Sequence, residues 1–258
     1  MKPTLNVYGL PQYVDSKELA GGAAVVIDVL RAATTIVYAL DAGAREIIPC
    51  LEITDALALA EQFDEDDIVL GGEREGLAID GFQLGNSPEE YSADRVGGKT
   101  VIFTTTNGTR AMNHARAADA IFVAAFVNVS AIVTKLLERK KIDILCAGTD
   151  GRVSEDDILL AGMLVDRIQR LSGDAYLPNA QAITAREFWL HAFALPQVIG
   201  AEPLEPERLA ERLRNTLGGQ NLVNVGLEGD ILSASYIDRF DIVSQLDVKT
   251  FRIRQTLE

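Results

Sequence analysis

Short apolar runs alternate with amphipathic stretches through the first 150 residues of the chain. Runs at 5–8, 24–28, 46–49, 68–70, 100–104, 120–124 and 142–146 are rich in β-branched residues, and most do not alternate with polar ones. This pattern predicts strands covered on both faces. Stretches at 34–42, 55–62, 109–116, 130–139, 155–171 and 180–193 predict helices. In the stretch 155–171, Ile158, Leu159, Gly162, Val165, Ile168 and Leu171 recur at helical spacing. Strand followed by helix, repeated, is the signature of an α/β fold, a mostly parallel or mixed sheet with helices on both faces.

Local signals mark two helix starts. Ser87 reads as an N-cap, with Pro88 at the first helical position and Glu90 closing a capping box. Ser154 reads as the cap of the long helix, with Glu155, Asp156 and Asp157 favouring its first turn, so a metal role for Glu155 or Asp156 is secondary. From about Ala175 the chain turns to helices and Pro/Gly-punctuated connections, with Pro196, Pro203 and Pro206 in one stretch. One domain over 1–258 is expected, with room for sub-lobes at about 1–175 and 176–258. Alternation at 241–243 and 247–253 predicts strands that return to the sheet.

Composition excludes several classes. With 258 residues and 48% apolar content the chain can bury a large core without disulfides. Its apolar stretches fall far short of the roughly 20 residues that cross a bilayer, and its first residues lack the pattern of a signal peptide. Only two cysteines, Cys50 and Cys146, are present, and a soluble cytoplasmic protein is expected. The net charge of −14, with no basic cluster longer than Arg139-Lys140-Lys141, excludes nucleic acid as a partner. An anionic substrate would need arginines and a divalent cation gathered against that field.

Ligands of open α/β sheets bind beyond the carboxyl ends of strands, and four such loops share a composition. They are Asp28-Val29-Leu30-Arg31-Ala32-Ala33-Thr34-Thr35, Gly71-Gly72-Glu73-Arg74-Glu75-Gly76, Thr104-Thr105-Thr106-Asn107-Gly108-Thr109-Arg110 and Ala147-Gly148-Thr149-Asp150-Gly151-Arg152. Each carries one arginine, whose planar guanidinium can hold two phosphate or carboxylate oxygens. Glycines let backbone N–H groups approach an anion, and a following helix N-terminus adds about half a positive charge. The third loop fits a phosphate cradle; it fits equally a turn at Asn107-Gly108 with Thr109 as a cap and Arg110 solvated. Asp28 and Glu73 are the carboxylates suited to Mg²⁺, which often takes one or two carboxylates plus water and substrate oxygens. Their bland alternatives are an Arg31-paired or capping Asp28 and a surface Glu73. Asp80 and Asn86 stand as further site candidates.

Several familiar machineries are absent: no Cys with Arg six positions on, no Gly-x-x-x-x-Gly-Lys-Ser/Thr, no His-Glu-x-x-His. His114 and His191 fall in predicted helices and read as packing or surface residues; both cysteines read as buried strand-end residues. What remains is metal-plus-arginine electrostatic catalysis, with water or a carboxylate as nucleophile.

The segments Ile27-Asp28-Val29-Leu30-Arg31-Ala32, Gly71-Gly72-Glu73-Arg74, Gly81-Phe82, Gly85-Asn86-Ser87-Pro88, Thr105-Thr106-Asn107-Gly108-Thr109-Arg110 and Cys146-Ala147-Gly148-Thr149, in this order, resemble the 2-phosphosulfolactate phosphatase family of coenzyme M biosynthesis. The resemblance implies Mg²⁺-dependent hydrolysis of a small 2-phospho acid. It favours Asp28, Arg31, Glu73 and Arg74 as catalytic residues, and Thr34, Asn107, Gly108, Thr109, Arg110, Gly148 and Thr149 as substrate-binding ones. Asp28, Glu73 and Asp80 become the expected metal ligands. Gln83 departs from the acid expected between Phe82 and the Gly-Asn-Ser-Pro segment, a loss for Asp80 or another carboxylate to compensate if that acid binds metal. Alternatives are a phosphatase for phospholactate or phosphoglycolate, and a non-catalytic anion-binding regulatory module. The expected partner is a small anionic phosphorylated substrate, with neither nucleic acid nor membrane; a symmetric homo-oligomer is a reasonable prior.

Overall fold

A computed structural model describes residues 2–193 and 204–256. The strands are β1 (Thr4–Tyr8), β2 (Ala23–Ile27), β3 (Glu46–Cys50), β4 (Ile68–Arg74), β5 (Leu77–Ala78), β6 (Thr100–Thr104), β7 (Ala120–Ala124), β8 (Lys141–Cys146), β9 (Leu177–Pro178), β10 (Val243–Asp247) and β11 (Arg252–Thr256). The helices are α1 (Ala32–Asp41), α2 (Ile53–Ala60), α3 (Ala93–Val96), α4 (Gly108–His114), α5 (Val129–Leu136), α6 (Glu155–Ser172), α7 (Ala180–Ala192), α8 (Pro206–Arg214), α9 (Leu217–Asn224) and α10 (Gly229–Ser233). All eleven strands join one mixed, mostly parallel sheet in the order β5-β4-β6-β3-β11-β10-β7-β2-β8-β1-β9.

The two-sided burial predicted for the apolar runs is what the central strands show. Along β2, Val25 and Ile27 enter a core shared with α5, α6 and α7, while Ala24 and Val26 enter a second core with α1 and α4. Successive side chains of a strand point to opposite faces, so one apolar run serves two helical layers.

Two parallel blocks make up the sheet: β4-β6-β3, and β7-β2-β8-β1-β9. Between them lies the antiparallel hairpin β10–β11, itself antiparallel to β7 on one side and β3 on the other. The pairing therefore sets the two blocks running in opposite directions. Sheets twist by roughly 20–25° per strand pair, so the six steps from β2 to β4 turn one block by roughly 120–150° against the other. That rotation brings carboxyl ends from both blocks toward one side of the molecule.

The returning strands expected near the C-terminal end are present but shifted, to 243–247 and 252–256, and they occupy the middle of the sheet rather than an edge. Glu46 of β3 is buried and pairs with Arg252 and Arg254 of β11, which fastens this joint. Of the Pro-rich stretch, Pro206 opens α8; Pro196 and Pro203 lie outside the described residues.

Both predicted caps need correction. Ser87 precedes only a 3-10 turn, Pro88–Glu90, and makes no cap hydrogen bond; its hydroxyl donates instead to Asp230 Oδ2 at 2.8 Å. Glu90 reaches back to Gly85 N at 2.7 Å, not to the backbone of Ser87. Ser154 does precede α6, but its hydroxyl is engaged by the Asp156 carboxylate and by Thr149 Oγ1 rather than by the helix backbone. In both places a buried carboxylate outcompetes the local cap, as a charged acceptor does for a hydroxyl.

Candidate active site

A cavity of about 500 Å³ is lined by residues that follow β2, β4, β6 and β8, and by α9. Asp28, the first residue after β2, is buried. Its Oδ1 accepts from Ala32 N at 3.3 Å. A Cβ on Gly108 would stand 2.8 Å from Asp28 Oδ2 and 2.8 Å from the Ala32 Cβ. Glycine at that position is what lets the start of α4 press against the β2 loop.

Around Asp28, burial and neighbouring carboxylates outweigh the Arg31 guanidinium. Burial pushes its carboxyl up to about 7, assisted by the neighbouring Asp156 and Glu73 carboxylates. Asp156 and Asp157 lie in the first turn of α6 as expected, and both are buried. Asp157 accepts from Val29 N at 3.0 Å and Gly148 N at 2.9 Å, so it latches the β2 loop to the β8 loop. Burial, then Asp156 and Asp28, hold its carboxyl well above the usual range.

Glu73 performs a comparable latching in the other block. Its Oε1 accepts from Thr106 N at 2.7 Å and its Oε2 from Gly76 N at 2.7 Å, joining the end of β4 to the β6 loop. Gly72 makes this approach feasible: its φ is +135°, and a Cβ there would lie 1.9 Å from Thr104 O. No side chain could be accommodated.

Arg31 is buried and lines the cavity, the sole Lys or Arg among the described residues that does so. Its Nη1 donates to Asp230 Oδ2 at 2.7 Å and to Ser87 Oγ at 3.3 Å, and its Nη2 to Gly76 O at 3.0 Å. Asn86 also faces the cavity. It is 5% exposed, and its Oδ1 is buried without a hydrogen-bond partner among the described residues.

Of the residues singled out from the sequence, the fold gathers Asp28, Arg31, Glu73, Asn86, Asn107 and Thr149 around this space. The others stand elsewhere. Arg74 braces three strand ends, through Glu73 O at 2.9 Å, Leu51 O at 2.6 Å and Thr104 Oγ1 at 2.8 Å. Arg110 and Asp80 are exposed and outside the lining. Thr34 gives its hydroxyl to Val29 O at 2.7 Å, and Thr109 gives its own to Thr105 O at 2.7 Å. Gly108 and Gly148 contribute backbone shape rather than lining surface. Gln83 is exposed, accepts from Leu70 N at 2.8 Å and lies outside the lining.

The histidines and cysteines behave as read. His114 bonds Val14 O at 2.9 Å, and His191 is exposed beside Glu187. Burial pushes the Cys50 thiol up to about 11 and that of Cys146 well above its ordinary value, which leaves neither as a thiolate nucleophile.

Lining residues that the sequence reading did not assign are Glu75, Asp150, Asn221 and Asn224. Glu75 and Asp150 hold left-handed backbone, with φ of 54° and 52°, each just before a glycine. The Glu-Gly and Asp-Gly pairs are turn signals; nothing local marks the two asparagines.

Four carboxylates thus face the cavity, Asp28, Glu73, Glu75 and Asp150, against one guanidinium that is already paired. Hard oxygen donors in excess, with the unpartnered Asn86 Oδ1 among them, suit a divalent cation such as Mg²⁺. No group of three or more His, Cys, Asp or Glu side chains converges on one point among the described residues, so the fitting ligand set is two carboxylates completed by other oxygens.

An α/β sheet with an oxygen-rich pocket at its strand ends, one oriented arginine and glycine-shaped loops defines an enzyme for a small anionic substrate. Residues 8–249 match the family described as 2-phosphosulpholactate phosphatase. A "probable 2-phosphosulfolactate phosphatase" of Caldanaerobacter subterraneus is 35% identical over 243 residues, 94% of this chain and 95% of that one. Proteins with the same description are 37% identical over 230 residues in Symbiobacterium thermophilum, covering 88% and 92%, and 36% identical over 233 residues in Thermotoga maritima, covering 90% and 92%. The chain belongs to the 2-phosphosulpholactate phosphatase family and is by class a phosphoric monoester hydrolase. Among the described residues no helix is long and apolar enough to cross a membrane.

Proposed function

We propose that this protein hydrolyses 2-phosphosulfolactate to sulfolactate and phosphate, with Mg²⁺ held by Asp28 and Glu73 and completed by Asn86 Oδ1. The observation that carries the reading is the charge imbalance of the cavity, four carboxylates facing one paired arginine. A ligand bearing phosphate, carboxylate and sulfonate would be repelled by such a lining unless a cation stood between them. When bound, Mg²⁺ neutralises phosphoryl oxygens and lowers the pKa of coordinated water.

The chain's own residues supply the rest. Glu73, pinned by two backbone N–H groups, offers a carboxylate whose position does not depend on the ligand. Arg31 meets the anion from a fixed direction, because three acceptors hold its terminal nitrogens. The side chains of Asn107 and Thr149 border the same space and offer neutral polar groups to the remaining oxygens. Phosphoryl transfer needs little covalent chemistry from the protein, so positioning and charge are the main terms.

The test is inorganic phosphate release from racemic 2-phosphosulfolactate, phospholactate and phosphoglycolate, with Mg²⁺ and with excess chelator. Chelator-sensitive release with preference for 2-phosphosulfolactate is expected. Equal turnover of all three would point to a general small-organophosphate phosphatase, and ligand-induced thermal stabilisation without release to a binding module.

A further inference from the structure

We infer that Asp230 is a positioning residue for Arg31: it keeps the guanidinium off the cavity carboxylates and presents it to the anion. The nature of that anion rests on the proposed function. Arg31 shares a 500 Å³ cavity with Asp28, Glu73, Glu75 and Asp150. The ordinary outcome for a guanidinium in such company is bidentate pairing with one of them. It pairs with none: its ion pair within the described residues is with Asp230, at 2.7 Å, and both side chains are more than nine-tenths buried.

The geometry around this pair is over-determined. Ser87 Oγ accepts from Arg31 Nη1 at 3.3 Å and donates to the same Asp230 oxygen at 2.8 Å, closing a three-membered ring of hydrogen bonds. Gly76 O takes Nη2 at 3.0 Å, and Gly76 N is in turn held by Glu73. The acceptors come from α10, the 85–88 loop and the β4–β5 turn, so the plane of the guanidinium is set from three elements. Asp230 lies 199 residues from Arg31 in the chain and outside the cavity lining, and among the described residues its side chain hydrogen-bonds the arginine and Ser87. Without it, the buried guanidinium is left with the carboxylates that share its cavity, among them Asp28 and Glu73, the two assigned to the cation. Arg31 would then leave the anion and compete with the metal at once.

The rival account is that the pair merely fastens α10 to the fold. Asp230→Ala, Asp230→Asn and Ser87→Ala, each also in an Arg31→Ala background, separate the two. The readouts are kcat and KM for phosphate release, calorimetric affinity of substrate-free protein for inorganic phosphate and for Mg²⁺, and the thermal midpoint. Asp230→Ala is expected to lower kcat/KM at least tenfold and to weaken both phosphate and Mg²⁺ binding at least tenfold. In the Arg31→Ala background it should cause no further loss, and Mg²⁺ affinity should recover. Asp230→Asn should lie between, and Ser87→Ala gives the same pattern more weakly if the Asp230 variants do not fold. A lower midpoint with kcat/KM and both affinities within twofold of the parent would overturn the inference and leave Asp230 as a fastener. Should the parent protein release no phosphate, the proposed function fails separately, and the affinities decide: a tenfold loss supports the positioning role, whereas equal affinities, or no phosphate binding by the parent, overturn it.

Discussion

The strand-end loops and the helix α9 border the same cavity but are built from opposite chemistry. The loops contribute the ionisable groups Asp28, Glu73, Glu75, Asp150 and Arg31. From α9 come Gly218, Asn221, Leu222 and Asn224, none of which is charged. The loops are also the more tightly cross-braced: Asp157 ties two of them and Glu73 ties two more, through backbone N–H groups at 2.7–3.0 Å. Charge that must act on a reacting centre is held where the backbone cannot move, and α9 adds shape and neutral hydrogen-bonding groups.

The sharpest test of this division is Glu73→Gln. The amide keeps one acceptor, for Thr106 N, but turns an NH2 that cannot accept toward Gly76 N, so phosphate release should fall roughly 10²–10³-fold and the thermal midpoint should drop with the lost latch. A loss below threefold would break the comparison, because the loops would then not hold the chemistry.

Acidity sharpens it next. With its carboxyl pushed up to about 7, Asp28 keeps a proton that a cation must displace, so Mg²⁺ affinity measured by calorimetry should fall about tenfold per pH unit below pH 7. Stability of the metal-free protein runs the other way. A carboxyl raised in the folded state stabilises fully below its ordinary value of 3.8, and that contribution is lost as pH rises through about 7. The metal-free midpoint should therefore drop between pH 5 and pH 8, Mg²⁺ should offset the drop, and Asp28→Asn should flatten the slope.

On the α9 side, Asn221→Ala and Asn224→Ala should each raise KM by about two- to tenfold, the worth of one hydrogen bond, with kcat unchanged. The smallest effect belongs to Arg110→Ala. That side chain is exposed and outside the cavity lining, so kcat/KM should stay within twofold. A large loss would mean that α4 also carries charge to the substrate.

The same division explains what could be read from the sequence. Asp28 and Glu73 were legible because an apolar strand that ends abruptly in Gly and acid announces both the strand and its loop. Composition could not rank the four loop arginines. Arg31 and Arg74 follow strands in the same way, yet one lines the cavity and the other is spent on Leu51 O, Glu73 O and Thr104 Oγ1. What separates them is the presence of Asp230 and Ser87 beside the first, contacts made across 199 and 56 residues. Asp156 and Asp157 show the converse failure. Their place after Ser154 matched a helix-start signature so well that their burial against Asp28 had no independent signal. The asparagines of α9 carried none at all, since their meaning arises only when the helix docks.

Among the described residues, the strand pairing that joins the two parallel blocks runs through the hairpin β10–β11. Both blocks also bury side chains in one shared core, Ala24 and Val26 of β2 with Ile47 of β3 and Val69 of β4. Asp28 belongs to one block and Glu73 to the other. The hairpin therefore sets the spacing of the two carboxylates, since it joins the block that carries one to the block that carries the other.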